Sequence, residues 1–319
     1  MSPSAISPPS QIEAKGFAPV LSPSKSSQGQ KRKILIFSDF DGTIALQDTG
    51  HLLFDSPYGC GEQRRTLLDE QIKSGQRTFK DASAEMYASL NIPFEDGFEL
   101  MSSQLTLDPG FTGFHKFCLG NNIPFHLISA GLKPVLRKVL DEFWGEEESA
   151  KINVVANGVE VSGQGKWKAI WRDGESGCDS GHDKAKSIKH EVIMRLIVFI
   201  GDGVSDLPAA READVLFARK GLRLEGFCVE HEIKYTPFDS FQDIQKVLEG
   251  IIKEDEEKTG GMGRPVRFTP KANMWRRVSS KAGVERCVVM SPTREEMMFL
   301  WPEAFTELKG SSEGVQVVV

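Results

Sequence analysis

Two acidic segments that contain glycine are the residues of this chain best suited to chemistry. The first, DFDGT from Asp39 to Thr43, sets two carboxylates two residues apart at a turn. The second, GDGVSD from Gly201 to Asp206, repeats this arrangement later in the chain. One carboxylate of such a pair can bind a cation and attack phosphorus, while its neighbour delivers or removes a proton. Because the candidate ligands are all oxygens, the expected cofactor is Mg2+ rather than zinc.

Two further polar positions could bind the oxygens of a phosphoryl group. Ser129 follows an apolar run, where its hydroxyl and the backbone N–H of Ala130 are available to phosphate oxygens. Lys184 stands at the start of a predicted helix and would supply a positive charge. Each signal alone has a simpler interpretation, because Ser and Asp-Gly are common in turns and an isolated Lys is commonly solvated. Their order along the chain, rather than any one of them, points to chemistry.

Short apolar runs typical of buried strands come directly before these polar residues. They are Lys33 to Ser38, Pro124 to Ile128 and Leu196 to Ile200. Helical patterns separate them, which predicts an α/β fold with a Rossmann-like parallel sheet core covered on both faces. In such sheets a ligand lies beyond the carboxyl ends of the strands, so the polar residues that follow these runs are expected to lie together.

The chain is divided by composition into a core, an insertion and two terminal segments. Residues 1–32 are rich in Ser, Pro and Lys and are predicted to be a disordered tail. Residues 33–47 and 108–252 form the predicted catalytic core, and the helical pattern of residues 48–107 predicts a small cap domain inserted in it. Residues 253–319 are predicted to be a linker and a C-terminal extension of unknown role.

Shorter elements are expected within the core. Residues 151–171 alternate and contain turn signals, which predicts short strands or hairpins. Asp183 is expected to cap the helix that Lys184 begins. Two further short strands are predicted at Asp214 to Ala218 and at Lys234 to Thr236.

Composition disfavours several classes of protein. Hydrophobic residues are 39 % and charged residues 26 % of the 319 residues, which is ordinary for a globular protein. A net charge of −6 argues against a nucleic-acid partner, because binding a polyphosphate needs clustered Lys and Arg. No apolar run approaches the length needed to cross a bilayer, so no membrane partner is expected. Scattered cysteines and the lack of a secretory-type leader favour reduced thiols and a cytoplasmic location.

Taken in order, four motifs resemble those of the haloacid dehalogenase superfamily. They are SDFDGTI (Ser38 to Ile44), LISAG (Leu127 to Gly131), HDKAKSI (His182 to Ile188) and IGDGVSDLPAA (Ile200 to Ala210). The resemblance extends from about Lys33 to Ile252 and is greatest to the phosphoserine-phosphatase-like branch, in a fungal group. It implies a magnesium-dependent phosphatase that acts on a small-molecule phosphate ester.

The resemblance also implies catalytic and metal-binding roles. Asp39 would be the nucleophile that forms an aspartyl-phosphate. Asp41 would protonate the leaving alcohol and then activate water, with its backbone carbonyl on the metal. The implied magnesium ligands are Asp39, Asp41 and Asp202, with Asp206 in support.

The substrate-binding roles follow from the same resemblance. Ser129, Ala130 and Lys184 would hold the phosphoryl oxygens, and Asp48 would contact amino or hydroxyl groups of the substrate. Phosphoserine phosphatases also carry a cap Arg that binds the substrate carboxylate, and Met86 occupies the corresponding position here. Phosphoserine would therefore lose its main anchor. A polyol, sugar or other neutral-headed phosphate is the expected substrate.

Other functions remain open on the sequence alone. An alcohol in place of water would make the protein a phosphotransferase. A lipid or terpenoid phosphate would be favoured if apolar groups such as Met86 and Phe94 lined the site. A catalytically weak phosphate-binding regulatory module is the non-enzymatic alternative, and the oligomeric state is not predicted.

Overall fold

The computed structural model describes residues 33–174, 178–179, 181–189 and 195–260. Within those residues the chain forms one seven-stranded sheet flanked by helices. This α/β architecture confirms the fold class predicted from the alternation of apolar strands and helical patterns.

The sheet is parallel except at one edge. Its strands are β1 (Lys33–Ser38), β2 (Phe125–Leu132), β3 (Asn153–Val161), β4 (Trp167–Ile170), β5 (Arg195–Gly201), β6 (Val215–Arg219) and β7 (Thr236–Phe238). Their order is β4-β3-β2-β1-β5-β6-β7, and only the β3–β4 pair is antiparallel. Strand β1 is therefore central, with β2 and β5 on either side. The carboxyl ends of these three strands lie at the same edge of the sheet, where a ligand site is expected.

Helices connect the strands and cover the sheet. They are α1 (Thr49–Phe54), α2 (Glu62–Lys73), α3 (Phe79–Ser89), α4 (Phe94–Ser102), α5 (Phe111–Gly120), α6 (Lys133–Trp144), α7 (Glu146–Ser149), α8 (Lys184–Lys189), α9 (Leu207–Ala210), α10 (Arg223–Glu230) and α11 (Phe241–Thr259). A 3-10 turn, Val204–Asp206, precedes α9.

Both faces of the central strand are buried. Ile36 packs into one hydrophobic cluster, whereas Leu35 and Phe37 pack into a second cluster on the opposite face. Successive side chains of a strand point to opposite faces, so this division explains why β1 reads as a continuous apolar run.

Helices α1 to α4 form an insertion between β1 and α5, in the range where the sequence predicts a cap. The segment that enters the insertion and the segment that leaves it are joined by a β-bridge between Ala45 and Leu107. The insertion is also fixed to the β3–β4 hairpin, because the backbone N–H of Ile92 donates to the Gly165 carbonyl at 3.0 Å. Trp167 Nε1 donates to the Ile92 carbonyl at 2.8 Å. We propose that this helical insertion is the cap domain of the protein.

Three element boundaries differ from the predictions. Strand β2 continues through Ser129 to Leu132 instead of ending at Ile128, because its pairing with β3 resumes after a register shift. Strand β7 begins at Thr236, two residues after the predicted start, where it pairs with β6. Helix α11 runs through the first part of the predicted linker to Thr259, where Gly260 ends it with a φ of 64°. Ion pairs one turn apart, such as Lys253 with Glu257, favour this extension.

Several predictions fall on residues that the structure does not describe. These include the N-terminal tail of residues 1–32 and the C-terminal extension from residue 261 onward. Among the described residues, none of the helices has the length and apolar character needed to cross a membrane. Four cysteines, Cys60, Cys118, Cys178 and Cys228, are free thiols.

A buried ion pair joins the end of the insertion, at Asp108, to strand β6, at Arg219. Arg219, at the end of β6, has its Nη2 2.7 Å from Asp108 Oδ2 and also donates to the Thr43 carbonyl. The other carboxylate oxygen of Asp108 accepts the backbone N–H groups of Gly110 and Phe241. The Asp108 carboxylate therefore connects the segment that follows the insertion with β6 and with the start of α11.

Asp108→Ala is expected to lower the free energy of unfolding by about 3–5 kcal/mol, because it leaves the Arg219 charge buried without its partner. The matched control is Lys220→Met, which removes the exposed pair with Asp239 and is expected to change stability by less than about 1 kcal/mol. Urea unfolding midpoints measure both. Equal losses for the two variants would contradict the role given to Asp108.

Candidate active site

The predicted site residues converge at the carboxyl ends of the three central strands. Asp39 follows β1, Ser129 lies near the end of β2, and Asp202 follows β5. The backbone N–H of Asp39 donates to the Ile200 carbonyl at 2.9 Å, which extends the β1–β5 pairing up to the acidic residues. The sheet topology therefore positions residues that are far apart in sequence.

A glycine turn allows the two acidic segments, DFDGT and GDGVSD, to approach each other. Gly42 has a φ of 74°, and a Cβ built on it would lie 2.4 Å from Asp202 Oδ2. A side chain at this position would therefore be strained in conformation and would collide with the carboxylate. The Thr43 hydroxyl donates to Asp202 Oδ1 at 2.9 Å and fixes the orientation of that carboxylate.

Lys184 lies between two of the carboxylates. Its Nζ is 2.7 Å from Asp39 Oδ2 and 2.7 Å from Asp206 Oδ1, and its side chain is 1 % exposed. The residue is therefore buried in the site rather than solvated. Asp39 Oδ1 also accepts the backbone N–H of Phe40 at 2.7 Å, so both oxygens of Asp39 have partners.

Asp206 organises the second acidic loop. Its Oδ2 accepts the backbone N–H groups of Asp202 and Gly203 at 3.0 and 3.1 Å. A Cβ on Gly201 would lie 2.3 Å from the same oxygen, so glycine is required for this close approach. The oxygens of Asp206 already accept hydrogen bonds from Lys184 and from two backbone N–H groups. Asp206 is therefore better suited to a supporting role in a metal site than to being its main ligand.

The electrostatics of the cluster reflect an excess of negative charge. Burial raises the pKa of Asp39 well above its usual range, and the charge of Asp206 adds to this effect although Lys184 opposes it. Burial also raises the pKa of Asp202 to about 7. Burial alone would lower the pKa of Lys184, but the charges of Asp206 and Asp39 outweigh it and raise that pKa. Lys184 therefore remains an ammonium group, and it does not neutralise the cluster by itself.

The same carboxylates fit a divalent cation. Asp39, Asp202 and Asp206 each offer a carboxylate oxygen, and these oxygens lie within 4.8 Å of one another. All donors of the set are oxygens, as a hard cation such as Mg2+ requires. A cation at this position would also balance the charge that Lys184 leaves uncompensated.

Asp41 lies beside this cluster in a different environment. Its Oδ1 accepts the backbone N–H of Thr49 at 2.8 Å, at the start of α1. Burial raises the pKa of Asp41 to about 8, and the charge of Asp48 is the next largest cause. A carboxyl group that keeps its proton near neutral pH is suited to be a general acid.

The segment from Ser129 to Gly131 faces Asp41. The Ser129 side chain is buried, and its Oγ accepts the backbone N–H of Gly131 at 2.9 Å. A Cβ on Gly131 would lie 3.2 Å from Asp41 Oδ2. Ser129 and Ala130 are thus close to the acidic residues, as their predicted role requires.

Asp48 lies at the junction of the core and the insertion. It caps α1, because its Oδ1 accepts the backbone N–H of His51 at 2.9 Å. The residue also lines a cavity of about 510 Å3 on the insertion. The lining residues are Gln47, Asp48, His51, Leu52, Asp55, Ser56, Pro57, Arg65, Leu100 and Gln104.

Most of the residues that line the cavity have polar side chains, and its one Arg is already paired. Arg65 Nε donates to Asp55 at 2.7 Å, and its Nη1 donates to Asp69 at 2.9 Å. Met86, at the position expected for a carboxylate-binding Arg, is buried in the hydrophobic core at 3 % exposure. Neither Met86 nor Phe94 lines this cavity. A substrate carboxylate would therefore meet the acids Asp48 and Asp55 there and no unpaired Arg.

Several residues of the site were not predicted from the sequence. Thr43 and Thr49 orient the two carboxylates of Asp202 and Asp41. His182 and Asn157 contact the backbone of the Ser129 segment. Thr43, as part of DFDGT, and His182, as the first residue of HDKAKSI, stand in motifs that could have drawn attention to them. Nothing in the local sequence marks Asn157, which reaches the site only through the pairing of β3 with β2.

Comparison with known proteins places this chain among hydrolases. A family model described as haloacid dehalogenase-like hydrolase matches residues 36–211. Pdp3-interacting factor 1 of Schizosaccharomyces pombe is 35 % identical over 230 residues, which cover 70 % of this chain and 98 % of that protein. Polyol phosphate phosphatase PYP1 of Saccharomyces cerevisiae is 34 % identical over 231 residues, covering 69 % and 94 % of the two chains.

Solved structures with the same fold have lower sequence identity. A substrate-bound phosphoserine phosphatase complex aligns with a TM-score of 0.54 at 17 % identity, covering 68 % of this chain and 99 % of that one. A structure described as a probable phosphoserine phosphatase from Vibrio cholerae aligns with a TM-score of 0.55 at 16 % identity, covering 72 % and 68 %. At these identities the similarity establishes the fold alone.

Lys184→Met is expected to destabilise the protein by about 3–5 kcal/mol in a chelator, because it leaves Asp39 and Asp206 without their buried cation. Lys186→Met is the matched control, two residues further along α8 with a side chain that is 58 % exposed. That control is expected to change stability by less than about 1 kcal/mol. Urea unfolding measures both variants, and a Lys184→Met protein as stable as the control would contradict the charge balance described above.

The metal-free protein is expected to lose stability as the pH rises from about 4 to about 8. In the folded state the pKa of Asp41 is raised to about 8 and that of Asp202 to about 7, whereas in the unfolded chain both groups titrate near pH 4. The folded state therefore binds more protons across this range, so deprotonation favours unfolding. Urea midpoints across this range in a chelator test the prediction. A midpoint that increases with pH would contradict it, and Asp202→Asn should weaken the dependence.

Proposed function

The chain belongs to the haloacid dehalogenase-like hydrolase family, and we propose that it hydrolyses a small phosphate monoester through a phosphorylated Asp39. One observation carries this proposal. The buried Lys184 joins Asp39 to Asp206 beside Asp202, while Asp41 and Ser129 face the same space. This arrangement provides a nucleophile, a proton donor and groups that can bind phosphoryl oxygens.

In the first step Asp39 attacks phosphorus and the leaving alcohol departs. The contact with Lys184 and the backbone N–H of Phe40 hold the Asp39 carboxylate in one orientation. Asp41 carries the proton that the leaving oxygen needs, because burial keeps it protonated near neutral pH. The phosphoryl group is then bonded to Asp39, and Asp41 is left as a carboxylate.

In the second step a water molecule attacks the phosphorylated Asp39. Asp41, now unprotonated, removes a proton from that water. The Asp39–phosphoryl bond breaks, inorganic phosphate leaves, and both carboxyl groups return to their starting states. The proton gained by Asp41 in the second step replaces the one that it gave in the first.

Magnesium fits the oxygen ligands that Asp39, Asp202 and Asp206 offer, and we propose it as the cofactor. When bound, it would supply positive charge that offsets the repulsion between a carboxylate and an anionic phosphate ester. Ser129, the Ala130 N–H and Lys184 are proposed to hold the phosphoryl oxygens.

We further propose that the substrate has a neutral, hydroxyl-bearing head such as that of a polyol or sugar. The cavity next to Asp48 contains carboxylates and amides that can exchange hydrogen bonds with hydroxyl groups, and its Arg is already paired. The name of one relative, polyol phosphate phosphatase PYP1, supports the same class. Phosphoserine is disfavoured because its carboxylate would face Asp48 and Asp55.

The test is phosphate release from a panel of polyol phosphates, sugar phosphates, phosphoserine and an isoprenoid phosphate. Wild type is expected to release phosphate from polyol or sugar phosphates only with magnesium present. Asp39→Asn should abolish release, since removing a catalytic nucleophile costs several orders of magnitude in rate. Leu119→Asn, a substitution at an exposed position of α5, is the control and should retain wild-type activity. Activity retained by Asp39→Asn would contradict the mechanism, and a preference for phosphoserine would contradict the substrate class.

A further inference from the structure

The carbonyl groups of Ser129 and Ala130 accept hydrogen bonds from side chains of other elements. The pairing of β2 with β3 shifts register between Ile128 and Leu132, so the regular ladder is interrupted at these residues. Buried carbonyl groups at such an irregularity need donors from elsewhere. Here the donors come from two buried polar residues that the mechanism above does not use.

The first donor is His182. Its Nδ1 lies 3.1 Å from the Ser129 carbonyl oxygen, and its Nε2 lies 3.1 Å from Ser187 Oγ. A carbonyl oxygen can only accept, so Nδ1 carries the hydrogen and Nε2 accepts from the Ser187 hydroxyl. The side chain is buried, with 2 % of the residue exposed. Burial also lowers the pKa of His182 to about 4, so the ring is neutral near neutral pH.

The second donor is Asn157. Its Nδ2 donates to the Ala130 carbonyl at 2.7 Å, and its Oδ1 accepts the backbone N–H of Arg172 at 3.0 Å. Asn157 is fully buried. It therefore joins the Ser129 segment to the chain that follows β4.

Fixing these two carbonyls also fixes the groups on the other side of each peptide. In a trans peptide the C=O and N–H point in opposite directions, so the N–H groups of Ala130 and Gly131 point away from His182 and Asn157. The Gly131 N–H donates to Ser129 Oγ, which leaves the hydroxyl hydrogen of Ser129 to donate elsewhere. This is also the segment that approaches Asp41.

We propose that His182 and Asn157 are positioning residues that hold the Ser129–Gly131 backbone in the conformation that binds phosphoryl oxygens. The inference rests on the proposed function, because it takes Ser129 and Ala130 as phosphoryl ligands. His182 also lies two residues before Lys184 on the same segment. Its hydrogen bond to Ser129 therefore fixes the distance between Ser129 and Lys184, which are both proposed to hold phosphoryl oxygens. Displacing ligands by about 1 Å can cost about 100-fold in rate, which makes such anchoring consequential.

The test compares two substitutions of His182. His182→Asn keeps a nitrogen donor at the position of Nδ1, whereas His182→Leu removes it. The readouts are kcat and KM for the best substrate, and the dissociation constant for tungstate, an unreactive oxyanion, measured by calorimetry with magnesium. His182→Leu is expected to lower kcat by about 10- to 100-fold and to weaken tungstate binding by about 10-fold or more. His182→Asn should retain both within several-fold.

Asn157→Ala removes the other anchor and should change kcat and tungstate binding in the same direction, which keeps the test decisive if His182→Leu does not fold. His115→Leu, at a buried histidine on α5, is the control for the loss of a buried imidazole and should leave tungstate binding unchanged. Folded variants with wild-type kcat and tungstate affinity, or equal losses in His182→Asn and His182→Leu, would overturn the inference. A wild type that binds no tungstate and releases no phosphate would instead overturn the proposed function.

Discussion

The contact of Lys184 with Asp39 and Asp206 is the interaction on which the rest of the site depends. Removing a charge from water costs several kcal/mol, and a cluster of carboxylates is tolerated only where cations and N–H groups compensate it. Lys184 supplies one positive charge, and backbone N–H groups supply further donors to both carboxylates. The compensation is incomplete, as the raised pKa values of Asp39 and Asp202 indicate. Because negative charge remains uncompensated, the cluster fits the proposed divalent cation, which would also offset the charge of an anionic ester.

The fold holds these groups together with few degrees of freedom. Strand β1 lies between β2 and β5, so the residues that follow the three strands meet without long connecting loops. Gly42 and Gly201 then allow carboxylates to lie closer to the backbone than any side chain would permit. The insertion begins with α1, eight residues after Asp41, and is fixed to the β3–β4 hairpin through Ile92 and Trp167. The segment proposed to select the substrate head is thus attached directly to the segment proposed to carry out the chemistry.

The parts of this arrangement that follow from local sequence could be predicted, and the parts that depend on contacts across the sheet could not. Apolar runs followed by acidic turns were sufficient for the fold class and for the convergence of Asp39 and Asp202, because parallel strands share one ligand edge. The bond from Thr43 to Asp202 joins residues that are 159 positions apart, and no local pattern encodes it. The role of Asn157 depends on the register of β3 against β2, which sequence does not fix. The extent of α11 beyond residue 252 was missed for the opposite reason, since its charged composition resembles that of a linker although its ion pairs favour a helix.

Asp39 is proposed to accept the phosphoryl group covalently, and the intact mass of the protein after rapid acid quenching would detect this species. Asp41→Asn with an activated aryl phosphate suits this experiment, because a good leaving group needs no proton in the first step whereas water still needs a base in the second. We expect this variant to accumulate a species heavier by one phosphoryl group. Peptide mapping should assign the added mass to Asp39, and Asp39→Asn should abolish it. Steady turnover of the aryl phosphate by wild type with no phosphorylated species in Asp41→Asn, or with the added mass on another residue, would contradict this proposal.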